Sequence, residues 1–310
     1  MSKLLAVFGA TGQQGGSVIN YVLNNPELSQ KYKIRAITRD LDSESAKKLK
    51  EKVEVVQGDV YNRSSLEKAL TGVDTVFAMT APSLGKHGNE IEYNNGKTIA
   101  DVTVEKGAKY IIFSTLPSVQ DISGGKYTKV STFDAKAKVE QYIRSLPIKS
   151  AFYRPGSFMQ NFAAQAFLAP KKSEDGTWFM SRHTSPAALI PLVDAVGDSG
   201  KFVGAILAEP DKYEGKTFSA ATALYSLEEI VKIMSKATKK TIVYKQISLD
   251  DFKKSIPFAG EIFAEVFSFA EEFGYFGPKT EELVAWAVKN APGKLSTFEE
   301  YLDSHPLHLE

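Results

Sequence analysis

At 310 residues, with 43% hydrophobic and 24% charged side chains, the chain has a globular composition and can bury a sizeable core in one large domain or two modest ones. A formal net charge of +1, with no basic tail or block of like charge, leaves no electrostatic footprint for nucleic acid, and no nucleic-acid partner is expected. The lack of cysteine excludes disulfides, thiolate nucleophiles and thiolate zinc sites. No signal-like or transit-like segment opens the chain, and no run approaches the ~18 apolar residues of a membrane span. The expectation is a soluble protein of the cytoplasm, with the nucleus as a second compartment and no membrane partner.

In chain order, "LLAVFG" (4–9), "KIRAITR" (33–39), "VEVVQGD" (53–59), "DTVFAMT" (74–80), "KYIIFST" (109–115) and "KSAFYRP" (149–155) read as strands. Between them, "GGSVINYVLNN", "SESAKKLKE", "SSLEKAL", "NEIEYNNGKTIADVTVEKG" and "DAKAKVEQYIRSL" carry apolar residues at i, i+3 and i+4 and read as helices. Strands alternating with helices predict right-handed βαβ units: a Rossmann-type, doubly wound α/β domain over 1–155 with a mostly parallel sheet. From 156 to 310 the pattern changes to a smaller, helix-rich lobe. Its helices are "SLEEIVKIMSKAT", "SLDDFKKSI", "FAGEIFAEVFSFAEEF" and "TEELVAWAVKNA", with "AALIPLV" and "KTFSAA" as short strands, and it forms the substrate or partner cleft.

Within "VFGATGQQGGSV", Gly9, Gly12 and Gly15 form G-x-x-G-x-x-G directly after the first strand and at the start of a helix. That placement suits a pyrophosphate: glycines permit the turn and a close backbone approach, and the helix N-terminus offers unpaired N–H groups and a positive dipole end. Thr11, Gln13 and Gln14 lie in the loop. A plain turn is the rival reading of the glycines alone; the βαβ setting points to a dinucleotide. The second strand ends in "AITRD", where Arg39 lies 24 residues after Gly15. A guanidinium there favours a 2′-phosphate, so NADP(H) is expected over NAD(H). Asp40 offers the opposite preference, and a solvated Arg–Asp pair is the plainest account of the dipeptide. Asp59, in "GDV", would reach the adenine amino group.

"VFGATGQQGGSV", "TRD", "VVQGDV", "NGKTIADVTVEKGAKYIIFST", "STFDAKAKVEQYIR" and "YRPGSFMQNF" together resemble the NmrA-like family, the atypical branch of the short-chain dehydrogenase/reductase superfamily, and are most similar to its redox-sensing members. The resemblance implies a phosphate loop of Gly9, Ala10, Thr11, Gly12, Gln13 and Gln14, with Gly15 closing the triplet. It assigns Arg39 to Ser43 to the 2′-phosphate and Asp59 with Val60 to the adenine. Thr80 and Ala81 would lie beside a ribose, and Lys136 would bond the nicotinamide ribose. Phe158, Met159, Gln160 and Asn161 would close over the nicotinamide. Asn94 departs from the pattern, since the sensor-like relatives carry a lysine there; Lys97, one turn on, is the candidate substitute.

Active members of that superfamily carry a tyrosine four residues before the lysine, where the ammonium lowers the phenol pKa. Here Thr132 occupies that position, and Tyr127 is out of helical phase. The usual proton relay is missing, although isoflavone-reductase-like relatives transfer hydride without that tyrosine. Ser114 and Lys136 are the catalytic candidates, and Thr115 shares the end of the fifth strand. The resemblance therefore implies a redox sensor or regulator that follows cofactor occupancy through a protein partner. The other reading is a reductase of a quinone or enone-like carbonyl. No G-x-S-x-G elbow or G-x-x-x-x-G-K-[ST] loop occurs, and the four histidines lack ligand spacing, so no metal is expected. The stripe Phe258, Phe263, Phe267 and Phe269 reads as core or as a dimer-facing helix of a homodimer, with a pocket lining as its rival.

Overall fold

A computed structural model describes residues 2–83, 85, 87–165 and 167–309. The predicted first half appears in order: β1 (Lys3–Val7), α1 (Gln13–Asn24), α2 (Pro26–Lys31), β2 (Tyr32–Thr38), α3 (Glu44–Lys50), β3 (Glu54–Gln57), α4 (Arg63–Ala69), β4 (Thr75–Ala78), α5 (Gly88–Glu105), β5 (Tyr110–Ser114), α6 (Val119–Ile122), α7 (Ser131–Ser145) and β6 (Lys149–Pro155). The periodicity missed α2. It begins at Pro26, a residue suited to a first helical turn, and Asn25 Oδ1 accepts hydrogen bonds from Glu27 N and Leu28 N at 3.1 and 3.0 Å.

These strands build a parallel sheet of Rossmann type in the order β6-β5-β4-β1-β2-β3, with the strand Thr217–Ala220 added beyond β6. The chain winds outward from β1 to β3, then crosses back to β4 on the other side of β1. The C-terminal ends of β1 and β4 are thus a topological switch point, where such sheets open a ligand crevice. The strands are apolar because both faces are covered. On one face α4, α5 and α7 bury Leu66, Ile99, Val102, Val139 and Ile143 against Ala6, Val76, Ile111 and Phe113. Phe77, Phe113 and Phe152 are at most 1% exposed, and each contributes about 1.5–3 kcal/mol by burial.

The opposite face is completed from the last third of the chain. "KTFSAA" is a strand as read, but it pairs with β6 in the large sheet, Thr217 opposite Phe152 through Ala220 opposite Pro155. The helix Ser199–Ala208 lies against α1, where glycine permits very close approach. A Cβ on Gly200 would meet Ser17 O at 2.3 Å, and one on Gly204 would meet Tyr21 Cε1 at 2.2 Å. The remaining elements form a second core with two three-stranded sheets. One holds Leu189–Val193 between Ala223–Ser226 and Ser157–Phe158; the other holds Trp178–Arg182 between Ile242–Gln246 and Lys171–Lys172. The helix Gly260–Phe273 presents Phe263, Val266 and Phe267 toward the C-terminal ends of β4, β5 and β6.

Candidate functional site

The loop after β1 is shaped by contacts that exclude side chains. Gly9 has φ +62°, and a Cβ there would strike Met79 Sδ at 2.4 Å. A Cβ on Gly15 would meet the Gly9 carbonyl oxygen at 2.3 Å and Phe8 O at 2.8 Å, so the first turn of α1 packs directly on the loop backbone. Gly12 is the N-cap of α1 and has no side chain to cap with, and no acidic residue occupies the first turn. The leading N–H groups of this 12-residue helix are left for a ligand. Ala10 and Gly15 are buried as packing residues, and Gln13 faces solvent.

A groove of about 500 Å³ runs from this loop across the ends of β1, β2 and β4. Gly9, Thr11, Arg39, Ser43, Val60, Thr80 and Ala81 line it. The expected neighbours Arg39 and Asp40 do not form an ion pair. Asp40 Oδ1 accepts a hydrogen bond from Asp42 N at 2.8 Å and shapes the turn, and among the described residues the Arg39 guanidinium has no salt-bridge partner. Asp59 is likewise spent locally, its carboxylate accepting from Tyr61 N at 3.0 Å. Tyr61, which the sequence reading missed, is 71% exposed at the groove rim and is bonded by Asn95 Nδ2 at 3.3 Å. Asn95 lines the groove, whereas Asn94 is exposed on another face of α5. Lys97 pairs with Asp101 at 2.7 Å and lies over the Tyr142 ring, which engages the candidate substitute for the family lysine elsewhere.

At Met79, Thr80 and Pro82 the groove opens into an inner chamber of about 380 Å³. Its floor is the ends of β4, β5 and β6; its other walls come from α7 and from the second lobe. Phe133, Phe158, Phe263, Phe267, Leu168 and Ile190 make it largely apolar. Two of the aromatic stripe thus line a pocket, whereas Phe269 is buried core and Phe258 is fully exposed. The chamber roof at Phe167 and Leu168 is pinned by Arg182, 2% exposed, which donates to Phe167 O at 3.2 Å and Leu168 O at 3.3 Å. Its guanidinium stacks near Phe252 and Phe267, and burial without a carboxylate pulls its pKa down to about 10.

The polar groups of the chamber are mostly engaged. Ser114 Oγ donates to Gln14 Oε1 at 2.6 Å, tying the end of β5 to the start of α1 beside the glycine loop. Thr115 Oγ1 donates to backbone carbonyls of Leu116 and Lys136. Lys136 Nζ lies 2.6 Å from Glu92 Oε1 and 2.8 Å from both Thr80 O and Thr80 Oγ1, so three acceptors match its three protons. Thr80 Oγ1 also donates to Glu92 Oε1 at 2.8 Å. Burial pushes the Lys136 pKa down, and Glu92, itself 0% exposed, opposes that shift. No local pattern marks Glu92, because its partner is 44 positions away on another helix.

Phe158 and Asn161, which the resemblance assigns to the nicotinamide, line the chamber. Met159 is core at 0% exposure, and the Gln160 amide is clamped, its Nε2 donating to Asp194 Oδ1 at 2.7 Å and its Oε1 accepting from Ala195 N at 3.1 Å. Tyr127 lies outside both spaces, with its hydroxyl on Glu272 at 2.8 Å. Tyr275 is in the chamber wall. Its signal in the sequence is "FGYFG": Gly274 and Gly277 have φ +78° and +98° and make the tight loop that delivers an aromatic pair. Among the described residues, no group of three or more metal-binding side chains occurs, and no helix is long and apolar enough to cross a membrane.

Residues 1–302 match the NmrA-like family. A Dictyostelium discoideum NmrA-like family domain-containing protein is 31% identical, with 97% of each chain covered. The NmrA-like family domain-containing oxidoreductase FrzB of a Cladobotryum species is 29% identical, covering 91% of this chain and 88% of that one. Among solved structures, NmrA, a negative transcriptional regulator in complex with NADP, superposes with a TM-score of 0.79 at 24% identity, covering 97% of this chain and 94% of that one. The same regulator has also been solved with NAD.

Proposed function

The chain belongs to the NmrA-like family, and on that premise we propose that it is an NADP(H)-dependent reductase of apolar quinone or enone-like carbonyl acceptors. The observation that carries this reading is the aromatic-walled chamber of about 380 Å³ opening directly off the groove at Met79, Thr80 and Pro82. A dinucleotide laid along the groove with its pyrophosphate on α1 would bring its nicotinamide to that opening. The residues fit such a ligand: uncapped N–H groups on α1, a glycine contact that leaves no room for a side chain, and an unpaired guanidinium beyond β2.

When bound, NADPH supplies a hydride to an acceptor in the chamber. Thr11 and the α1 N-terminus would hold the phosphates, Arg39 would take the 2′-phosphate, and Tyr61 would offer a flat face to the adenine. Lys136, bonded by Glu92 and Thr80, fixes the end of β4 against α7 and would face the ribose. The phenylalanine walls exclude water and favour flat, apolar acceptors. The printed names of several relatives, FrzB among them, describe oxidoreductases, which supports the reading.

A second reading, a regulator that follows cofactor occupancy, is supported by Thr132 in place of a helix-borne phenol and by the saturated ammonium of Lys136. One measurement separates the two. Steady NADPH oxidation with naphthoquinones or enones above the enzyme-free rate is the expected result. NADPH binding without turnover across such a panel would discard the reductase in favour of the regulator.

A further inference from the structure

Among the described residues lining the inner chamber there is one tyrosine, Tyr275, contributed by the second lobe. Its ring meets Phe133 edge-on, with centroids 5.8 Å apart. Phe133 stands three residues before Lys136 on α7, so one face of that helix presents both to the chamber. Tyr275 therefore rests against the turn of α7 that begins beside Thr132, where a helix-borne phenol is missing. Its hydroxyl makes no hydrogen bond among the described residues, whereas the Thr80, Ser114 and Thr115 hydroxyls of the same wall are each bonded within the protein. Gln165, in the same wall, has a buried Oε1 that also lacks a partner among the described residues. Unpaired polar groups in an apolar chamber are stabilised when a ligand pairs with them.

We propose that Tyr275 donates its phenolic hydrogen bond to the carbonyl oxygen of a planar aromatic quinone or enone seated between Phe133, Phe158, Phe263 and Phe267. It would thus supply from the second lobe the phenol that α7 lacks. This rests on the reductase reading. In the reaction the quinone accepts the hydride, with its electron pair, that NADPH supplies. Negative charge gathers on the carbonyl oxygen facing Tyr275, a solvent proton completes the hydroquinone, and NADP⁺ is the oxidised product. Tyr275 keeps its own proton, since burial holds its phenol well above the ordinary range. It acts as a hydrogen-bond donor that strengthens as charge develops.

The test compares the full chain with Tyr275→Phe, which removes one oxygen and leaves the ring against Phe133. Calorimetry in the presence of NADP⁺ measures 1,4-naphthoquinone against naphthalene, which has the same shape without oxygen. The expected result is about tenfold weaker naphthoquinone binding in the variant, the value of one hydrogen bond, with naphthalene binding and melting temperature unchanged. Equal naphthoquinone affinity in both proteins, or none in the wild type, overturns the assignment. Turnover is read separately. Wild-type binding as expected without NADPH oxidation sinks the reductase reading and leaves Tyr275 as the anchor. Oxidation that proceeds equally well in the variant, with equal affinity, sinks the anchor and leaves the reductase.

Discussion

The outer groove and the inner chamber are adjoining parts of one cleft, built by opposite means. The groove is made of backbone: glycines, an uncapped helix end and short polar turns of the first half. The chamber is made of side chains, drawn from β4, β5, β6 and α7 on one side and from the distant helix Gly260–Phe273 on the other. A site built of backbone tolerates almost nothing at its contact positions, whereas a site built of apolar side chains tolerates shape-conserving exchange. The first is suited to one invariant ligand. The second can be retuned to new ones.

The largest effect that would test this division lies at their border. Glu92→Gln removes the partner of a buried ammonium, and breaking such a pair costs about 3–5 kcal/mol. The sign of its pH dependence follows from the Lys136 shift. Burial already holds that pKa below 10.5, so the unfolded chain binds the extra proton between the folded value and 10.5, and stability rises with pH there. Without Glu92 the folded value falls further and the window widens downward. The variant should therefore recover part of its loss as pH rises toward 10.5, measured as melting temperature; a flat profile would show that Glu92 does not oppose the downward shift of Lys136.

Next, Leu116→Trp fills the chamber from its partly exposed wall and leaves the groove alone. An overpacking cost of ~1–3 kcal/mol should fall on the acceptor, reducing quinone reduction about tenfold or more, with NADPH affinity within twofold of wild type. Equal losses of both would mean that the two spaces are not separable. Of similar size but confined to the groove, Arg39→Ala should weaken NADPH by ~1–3 kcal/mol in a binding titration and leave NADH unchanged. Equal weakening of both cofactors would remove Arg39 from the 2′-phosphate.

The same division explains what could be read beforehand. Gly9, Gly12 and Gly15 announce themselves because local spacing encodes a local backbone shape, and the six strands of the first half follow from periodicity alone. Thr217–Ala220 was legible as a strand, but not as the outer strand of the large sheet, since pairing with β6 joins segments more than 60 residues apart. Glu92 and Tyr275 were missed for the same reason: each takes its meaning from a partner on another element, Lys136 and Phe133 respectively. Gln160 shows the converse. A segment match put it toward the nicotinamide, whereas its amide holds Asp194 and the following turn.

The close contact of Gly200 and Gly204 with α1 bears on modularity. The helix that follows the glycine loop is gripped by residues 183 positions later, and the sheet edge at β6 is covered by a strand later still. A fragment ending at residue 155 would bare an apolar face of α1 and an open strand edge, a combination that invites aggregation. Chimeras that exchange the chamber should therefore leave 199–220 with the first half of the chain and swap only the segments that wall the chamber.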